Sequence, residues 1–559
     1  MGQKRGTDAS WPAIGSWFAT GDVIRVDLDE AMGQLDHHWT IVSDPSGDIR
    51  AVRGGQITLH DESCTASGSP DGIPVLGMLT PTPPRSLGSA HFIRDHGTSS
   101  AYVAGSMANG IASVALVTEL AQAGYLSFYG AAGQSVATVH AAILQLKQQL
   151  PDRPWGCNLI HSPAEPTIED ETSRLLVKEQ VPCVEVSAYL DITEPLVRLR
   201  LQGVQFSASS PLSHCPRIPR VMAKASRLEV ARKFLSPAPE AMVEALLRKG
   251  EITAEQAQWA RQNPLCDDLT AEADSGGHTD NRPMTTLVPA FAKLRSEIAQ
   301  RIPAAAGVQI GAAGGLGTPE AICAALALGA DYVVIGSVHQ ACVESGSSDV
   351  VREMLAAAGP ADVIMAPASD MFELGVHLQV LRTGTMFGPR ARKLLELYRS
   401  FSSIEELPTA ELDRLEKEIF RMPVAEVWEQ TRQFFLEREP GQLERASGDP
   451  HHRMALLFRW YLGRSSDWAN SGDPQRKLDY QIWCGPAMGA FNEWTRGSWL
   501  ENPTARRVAD VADTLMHGAA LTCRRQDLSR QGIPIPPGAS DRSPRRSSDL
   551  KSDSVRFTT

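Results

Sequence analysis

No apolar run in this chain reaches the ~20 residues needed to span a bilayer. The opening residues mix Lys4, Arg5 and Asp8 without the apolar core of a secretory signal. A cytoplasmic protein without membrane insertion is therefore expected. Basic residues are outnumbered by acidic ones, 54 to 65, and the formal net charge of -11 argues against a nucleic-acid surface. The 9 cysteines include no Cys-x-x-Cys pair, and several, such as Cys183 and Cys323, lie inside apolar runs. Buried free thiols are expected rather than disulfides or structural zinc, and no metal site is assigned. No Walker lysine follows the glycine-rich turns and no Rossmann fingerprint follows a strand, which disfavours nucleotide hydrolysis and a separate nicotinamide domain.

What is present is an ordinary globular composition, 42% hydrophobic and 21% charged. With 559 residues, the chain exceeds the ~250 to 300 that one core usually organises. Residues 1–95, rich in Gly, Pro and Asp, suggest a small irregular or β-containing region with short strands at Val23–Val26 and Ile57–Leu59. From residue 100 a unit recurs: apolar strand, small-residue turn, helix-compatible segment. The pattern predicts strands at 101–105, 126–129, 155–160, 183–187, 220–224, 269–273, 308–312 and 331–335. Eight short, regularly punctuated strands fit a closed (β/α)8 barrel, here placed at 96–360, better than an open α/β sheet.

A long interval at 225–268 predicts a helical insertion: a helix ending at Gly250, then a second opened by Thr253 with Gln256 at capping-box spacing. Such a hairpin could cover the strand ends or merely elaborate a loop. Residues 361–531 are expected to form a mainly helical domain beside the barrel mouth, with Phe458, Trp460, Trp483 and Phe491 mostly in its core. The Pro-, Ser- and Arg-rich stretch 532–559 is expected to be disordered.

The strand ends carry the chemistry. Gly314 and Gly315, then Gly336 and Ser337, end the last two strands, where barrels bind phosphate through backbone N–H groups. Thr318-Pro-Glu320 reads as a capped helix start behind them. His278 follows Gly276 and Gly277 at the end of the sixth strand, placing a group that titrates near neutrality at the rim. Glu272 and Asp274 precede it, one of them suited to a ligand or a buried lysine; Asp280, Asn281 and Arg282 are expected to brace the loop. Lys224 ends the fifth strand, where burial would demand an anion. Asn158 is a polar group within the third strand, and Gly105, Ser106 and Met107 at the end of the first could lie against a planar cofactor.

Four long segments carry a family resemblance: Glu272-Ala-Asp-Ser-Gly-Gly-His-Thr-Asp-Asn-Arg-Pro283, Gly311-Ala-Ala-Gly-Gly-Leu-Gly317, Ala366-Pro-Ala-Ser-Asp-Met-Phe-Glu-Leu-Gly375 and Asp479-Tyr-Gln-Ile-Trp-Cys-Gly-Pro-Ala-Met-Gly-Ala-Phe-Asn492. Over roughly residues 15 to 530 the chain resembles the PfaD family. These are flavin-dependent enoyl reductases of polyunsaturated fatty acid and trans-acyltransferase polyketide pathways, related to nitronate monooxygenases (2-nitropropane dioxygenases). The resemblance implies an FMN-containing barrel, NADPH as hydride donor, and action in trans on enoyl thioesters of an acyl carrier protein within a synthase. It places His278 over the flavin and Gly314, Gly315, Gly336 and Ser337 at its phosphate. Nitronate oxidation and a non-catalytic flavin-binding role are the alternatives. Arg390, Arg392 and Lys393 form a compact basic cluster suited to an acidic carrier protein. A homodimer is left open.

Overall fold

The computed structural model describes residues 13–44, 46–59, 72–206, 217–535 and 543–544. By packing, the chain divides into two compact units, 1–87 with 513–559, and 88–512.

In the first unit six strands form one antiparallel sheet: β1 (Gly15–Phe18), β2 (Ile24–Asp27), β3 (Trp39–Ser43), β4 (Ile49–Arg53), β5 (Gln56–Leu59) and β6 (Ile73–Leu79), in the order β2-β4-β3-β6-β1-β5. Pattern indicated only two of these, because short strands interrupted by Gly and Asp show little alternation. Trp39, Ile41, Leu76 and Leu79 pack with Leu528 and Ile533 from the far end of the chain. The tail expected to be disordered from Gly532 is thus described as far as residue 535, with Ile533 buried; 536–542 and 545–559 lie outside the described residues.

Arg524, on the helix Val508–Arg530, is fully buried in this unit. Its guanidinium donates to the carbonyl oxygens of Ala31 and Gln34 at 2.9 Å, Thr80 at 3.2 Å, Met32 at 3.3 Å, and His37. Burial pulls its pKa down to about 10, and carbonyl dipoles replace water around the charge.

The second unit is built on a closed barrel of eight parallel strands: β7 (Tyr102–Ala104), β8 (Leu126–Tyr129), β9 (Gly156–Ile160), β10 (Cys183–Ser187), β11 (Arg220–Ala225) and β12 (Asp268–Glu272), then, after the two-residue β13 (Gly277–His278) outside the barrel, β14 (Gln309–Ala313) and β15 (Tyr332–Ile335). All eight stand within one residue of the predicted ends. Phe92, on the helix Ala90–His96, stacks on Tyr332 with ring centroids 4.4 Å apart, and His96 Nε2 lies 2.9 Å from Asp268 Oδ2. Asp268 begins β12, so this helix plugs the N-terminal end of the barrel. The C-terminal end is left for chemistry.

The helical insertion exists as predicted, Glu240–Arg248 and Ala254–Ala260 with the Thr253–Gln256 capping box formed. Both helices pack against the outer barrel helix Glu194–Gln202 and neither lines the cavity at the strand ends. The hairpin elaborates the outer layer and covers nothing.

Beyond the barrel, β16 (Val363–Pro367) and β17 (His377–Leu381) form a hairpin whose second strand pairs with β13, setting His278 opposite Leu378. Residues 361–512 therefore extend the sheet begun in a barrel loop and pack with the barrel as one unit, and 513–531 belong to the other. The helices Phe387–Ser400, Val424–Arg438, Pro450–Ser471 and Pro486–Thr495 follow. The basic cluster expected on the first of these is not free: Arg390 pairs inward with fully buried Asp479, and Lys393 pairs with Glu411 at 3.1 Å. An unpaired Asp479 would be costly to bury, so Arg390 serves the core.

Of the seven described cysteines six are buried, as expected, and Cys523 is partly buried; Cys64 and Cys215 lie outside the described residues. Among the described residues no helix is long and apolar enough to cross a membrane.

Replacing Arg524 with Met should destabilise the first unit by about 3 kcal/mol, since its carbonyl acceptors lose their donor together. Urea unfolding of the full chain, followed by tryptophan fluorescence from Trp17 and Trp39, checks this.

Candidate active site

A cavity of about 680 Å³ opens at the C-terminal end of the barrel, within the usual range for small-molecule sites. All thirteen site residues expected from sequence line it: Gly105, Ser106, Met107, Asn158, Lys224, Glu272, Gly276, Gly277, His278, Gly314, Gly315, Gly336 and Ser337.

The glycine turns have physical reasons. Gly314 and Gly315 adopt φ of 89° and 72°, backbone that side chains rarely tolerate. A Cβ on Gly314 would lie 2.7 Å from the Ala273 carbonyl carbon, whereas one on Gly315 or Gly336 would meet nothing within 4 Å. The amides of Gly314, Gly315, Gly336 and Ser337 donate to no protein acceptor among the described residues. Unpaired N–H groups beside open space suit an anion. Ser337 Oγ is already engaged, accepting the Gly485 N–H at 3.1 Å.

The floor of the cavity is charged. Lys224 Nζ lies 3.0 Å from Glu272 Oε1, so its anion comes from the protein itself. Burial opposes the ammonium charge, but the Glu185 and Glu272 carboxylates outweigh it and hold the lysine pKa above its ordinary value. Glu185, on β10, is fully buried; one oxygen accepts the backbone N–H of Ser106 at 3.0 Å and its hydroxyl as well, and the other has no hydrogen-bond partner. Sequence reading passed over Glu185. Its signal was a carboxylate between two valines in a predicted strand. Ser106 and Asn158 line the cavity with their side chains engaged: the Asn158 amide accepts from Ala132 N–H at 3.2 Å and donates to Ser187 Oγ at 3.0 Å and to the Glu185 carbonyl at 3.3 Å.

The loop carrying His278 is braced from both sides. Asp280 accepts from Ser226 Oγ at 2.6 Å and Arg227 Nε at 2.7 Å, which brings its carboxyl down to about 2. Asn281 and Gln379 both donate to Asp274 Oδ1 at 2.8 Å. His278 Nε2 lies 3.1 Å from Asp370 Oδ1, in the turn between β16 and β17. Burial works against the imidazolium, yet the Asp370 carboxylate, with Glu272 behind it, outweighs burial and the opposing Lys224 charge; the ring's pKa is raised. Asp370 shifts the other way, since His278 and Arg459 outweigh the effect of its burial.

The wall opposite the barrel comes from the helical region: Phe434, Phe435, Leu456, Trp460 and Trp483 are among the residues facing the cavity. Phe458 and Phe491 are core as expected, but Trp460 and Trp483 are half-buried cavity wall.

A family profile described as nitronate monooxygenase matches residues 94–373, and one described as the inserted helical domain of acyl-carrier-protein S-malonyltransferase matches 401–480. A polyunsaturated fatty acid synthase polypeptide of Thraustochytrium sp. is 42% identical over 491 residues, 86% of this chain and 32% of that protein. Polyketide biosynthesis protein PksE of Bacillus subtilis is 42% identical over 437 residues, 78% of this chain and 56% of that protein. The chain thus spans about a third of the first relative and just over half of the second. The solved enoyl reductase domain of MlnA, from the macrolactin cluster of Bacillus amyloliquefaciens, superposes with a TM-score of 0.75 at 35% identity, covering 80% of this chain and 99% of that one. With the barrel matched by one family profile and a whole solved domain matched end to end, the chain belongs to the PfaD family, which is related to the nitronate monooxygenases.

Proposed function

We propose that the protein is an FMN-dependent enoyl reductase that uses NADPH to reduce the α,β double bond of enoyl thioesters delivered by an acyl carrier protein of a polyketide or polyunsaturated fatty acid synthase, in the cytoplasm. The observation that carries this reading is one cavity lined both by backbone amides that donate to no protein acceptor among the described residues and by His278, whose pKa the Asp370 carboxylate raises, with aromatic side chains in its wall. The residues fit FMN: Gly314, Gly315, Gly336 and Ser337 would hold its phosphate with their amides, and Met107 and the polar floor around Lys224 and Glu272 would support the remainder. When bound, FMN supplies the hydride transfer from NADPH to the β-carbon.

The chain's own residues do the rest. His278 holds a proton for the α-carbon, where negative charge develops as the β-carbon is reduced. Phe434, Phe435, Leu456 and Trp460 exclude water and accept the acyl chain. The match of residues 401–480 to a helical insert of an acyl-carrier-protein transferase supports a carrier-borne substrate for this cover. NADPH enters by the same open face as the thioester, in alternation with it.

The purified protein should be yellow and release FMN, not FAD, on denaturation; a protein that takes up no FMN removes the reading. With crotonyl carrier protein, NADPH consumption should exceed oxygen uptake with a nitronate, whereas the reverse would make the chain a nitronate oxidase. A bound flavin left oxidised by excess NADPH would instead mark a non-catalytic component. His278→Ala should retain FMN and lose about 100-fold in kcat, the usual lower range for a general acid. NADPH and thioester should compete in steady-state kinetics, and a stable ternary complex would contradict the shared face.

A further inference from the structure

We propose that Asp370 orients His278 for proton delivery and that Arg459, carried by the capping helix Pro450–Ser471, holds the turn that carries Asp370 through Ser369 and Glu373, so that the helical cover completes the proton donor of the barrel. The proposal rests on the enoyl reductase reading above for the destination of the proton. It stands on geometry that the reading does not use.

His278 belongs to β13, a strand of two residues held by β17. Its backbone is therefore fixed by the same hairpin whose turn carries Asp370. With Nε2–H directed at Asp370 Oδ1, 3.1 Å away, the other ring nitrogen, Nδ1, is the one that can carry a proton elsewhere. A carboxylate on one nitrogen of a histidine sets its tautomer and ring angle, and favours the charged ring when that ring must give up a proton.

The turn is tied to the capping helix by several contacts. Ser369 Oγ donates to the Arg459 carbonyl at 3.3 Å. Arg459 Nη1 lies 3.6 Å from Glu373 Oε1, and His452 Nδ1, two turns earlier on the same helix face, lies 3.5 Å from the same oxygen. Arg459 is more than nine-tenths buried, lines the cavity, and its Nε has no hydrogen-bond partner. Its charge acts on Asp370 in the direction that keeps the carboxylate ionised. The groups that face His278 are thus Asp370 and Glu272, which favour the imidazolium, and Lys224, which opposes it.

With hydride that the bound cofactor would supply from NADPH added at the β-carbon, the π electrons of the double bond would pass to the α-carbon. They take the proton from His278 Nδ1, whose N–H pair stays on the ring. The ring is left neutral and regains its proton from water, while Asp370 remains ionised throughout.

The test uses the full chain with labelled histidine, following the His278 ring by NMR across pH, with His278→Gln assigning the signal. Removing the carboxylate in Asp370→Asn should lower the titration midpoint by at least about one pH unit, the effect expected of losing an opposite charge at hydrogen-bond distance. Arg459→Met should lower it by a smaller amount, and keeps the proposal testable should Asp370→Asn fold poorly. With FMN restored and crotonyl-pantetheine as substrate, the alkaline limb of the kcat profile should move to lower pH by the same interval. At pH 8 kcat should then fall about tenfold, with little change at pH 6, and Asp370→Glu should recover part of the loss. A His278 midpoint unmoved in both variants overturns the proposal. A wild type that consumes no NADPH with this thioester removes the reductase reading, and with it the proton's destination; the titration still decides whether Asp370 and Arg459 hold the ring.

Discussion

Where the loop after β12 meets Cys484 and Gly485, main chain lies on main chain. A Cβ on Gly276 would sit 2.9 Å from the Cys484 nitrogen, and one on Gly485 would sit 2.7 Å from the Gly276 nitrogen. Gly317 meets the Ala487 carbonyl in the same manner, at 2.0 Å from its would-be Cβ. These contacts lock two strand-end loops and the start of the helix Pro486–Thr495 into one body. Each approach is open only because the glycine on one side brings no Cβ into the space. The unpaired amides of the rim keep their direction because the loops behind them cannot relax.

Charge is placed on this frame in two groups. At the floor, Lys224 lies between Glu185 and Glu272 and keeps its proton despite burial. At the wall, Asp370 and His278 form the second group. Buried ions of this kind add little net stability, and breaking any one pair leaves a stranded charge. Their value lies in direction: a cation fixed beneath a ligand and a proton fixed beside it, both prepared before any substrate arrives.

The helical region does more than close the mouth. Its aromatic residues Phe434, Phe435 and Trp460 give the cavity bulky apolar side chains beside the glycines and carboxylates of the barrel rim. The first unit stands apart in its physics. There a six-stranded sheet and the chain's final helix share one core, with Arg524 solvated by main-chain carbonyls instead of a counter-ion.

Much of the barrel was legible in the residues themselves. Apolar runs ending in small residues set the strands to within one residue and identified which residues face the C-terminal rim, because in a parallel barrel every strand ends at the same rim. That geometry brings Gly314, Gly336, Lys224 and His278 into one cavity before any long-range contact is known. Pairing was another matter. Nothing local announces that Asp370 would face His278 across 92 positions of sequence, that Glu185 would join Glu272 in holding the charge of Lys224, or that Arg390 would turn inward to Asp479. The insertion at 240–260 showed its helices and its cap through local signals, yet not the side of the barrel on which it would lie. Hydrophobic period and turn chemistry act over a few residues and so are written in the chain. The partner of a charge and the cover of a cavity depend on which distant segments share a core, and only the tertiary structure decides that.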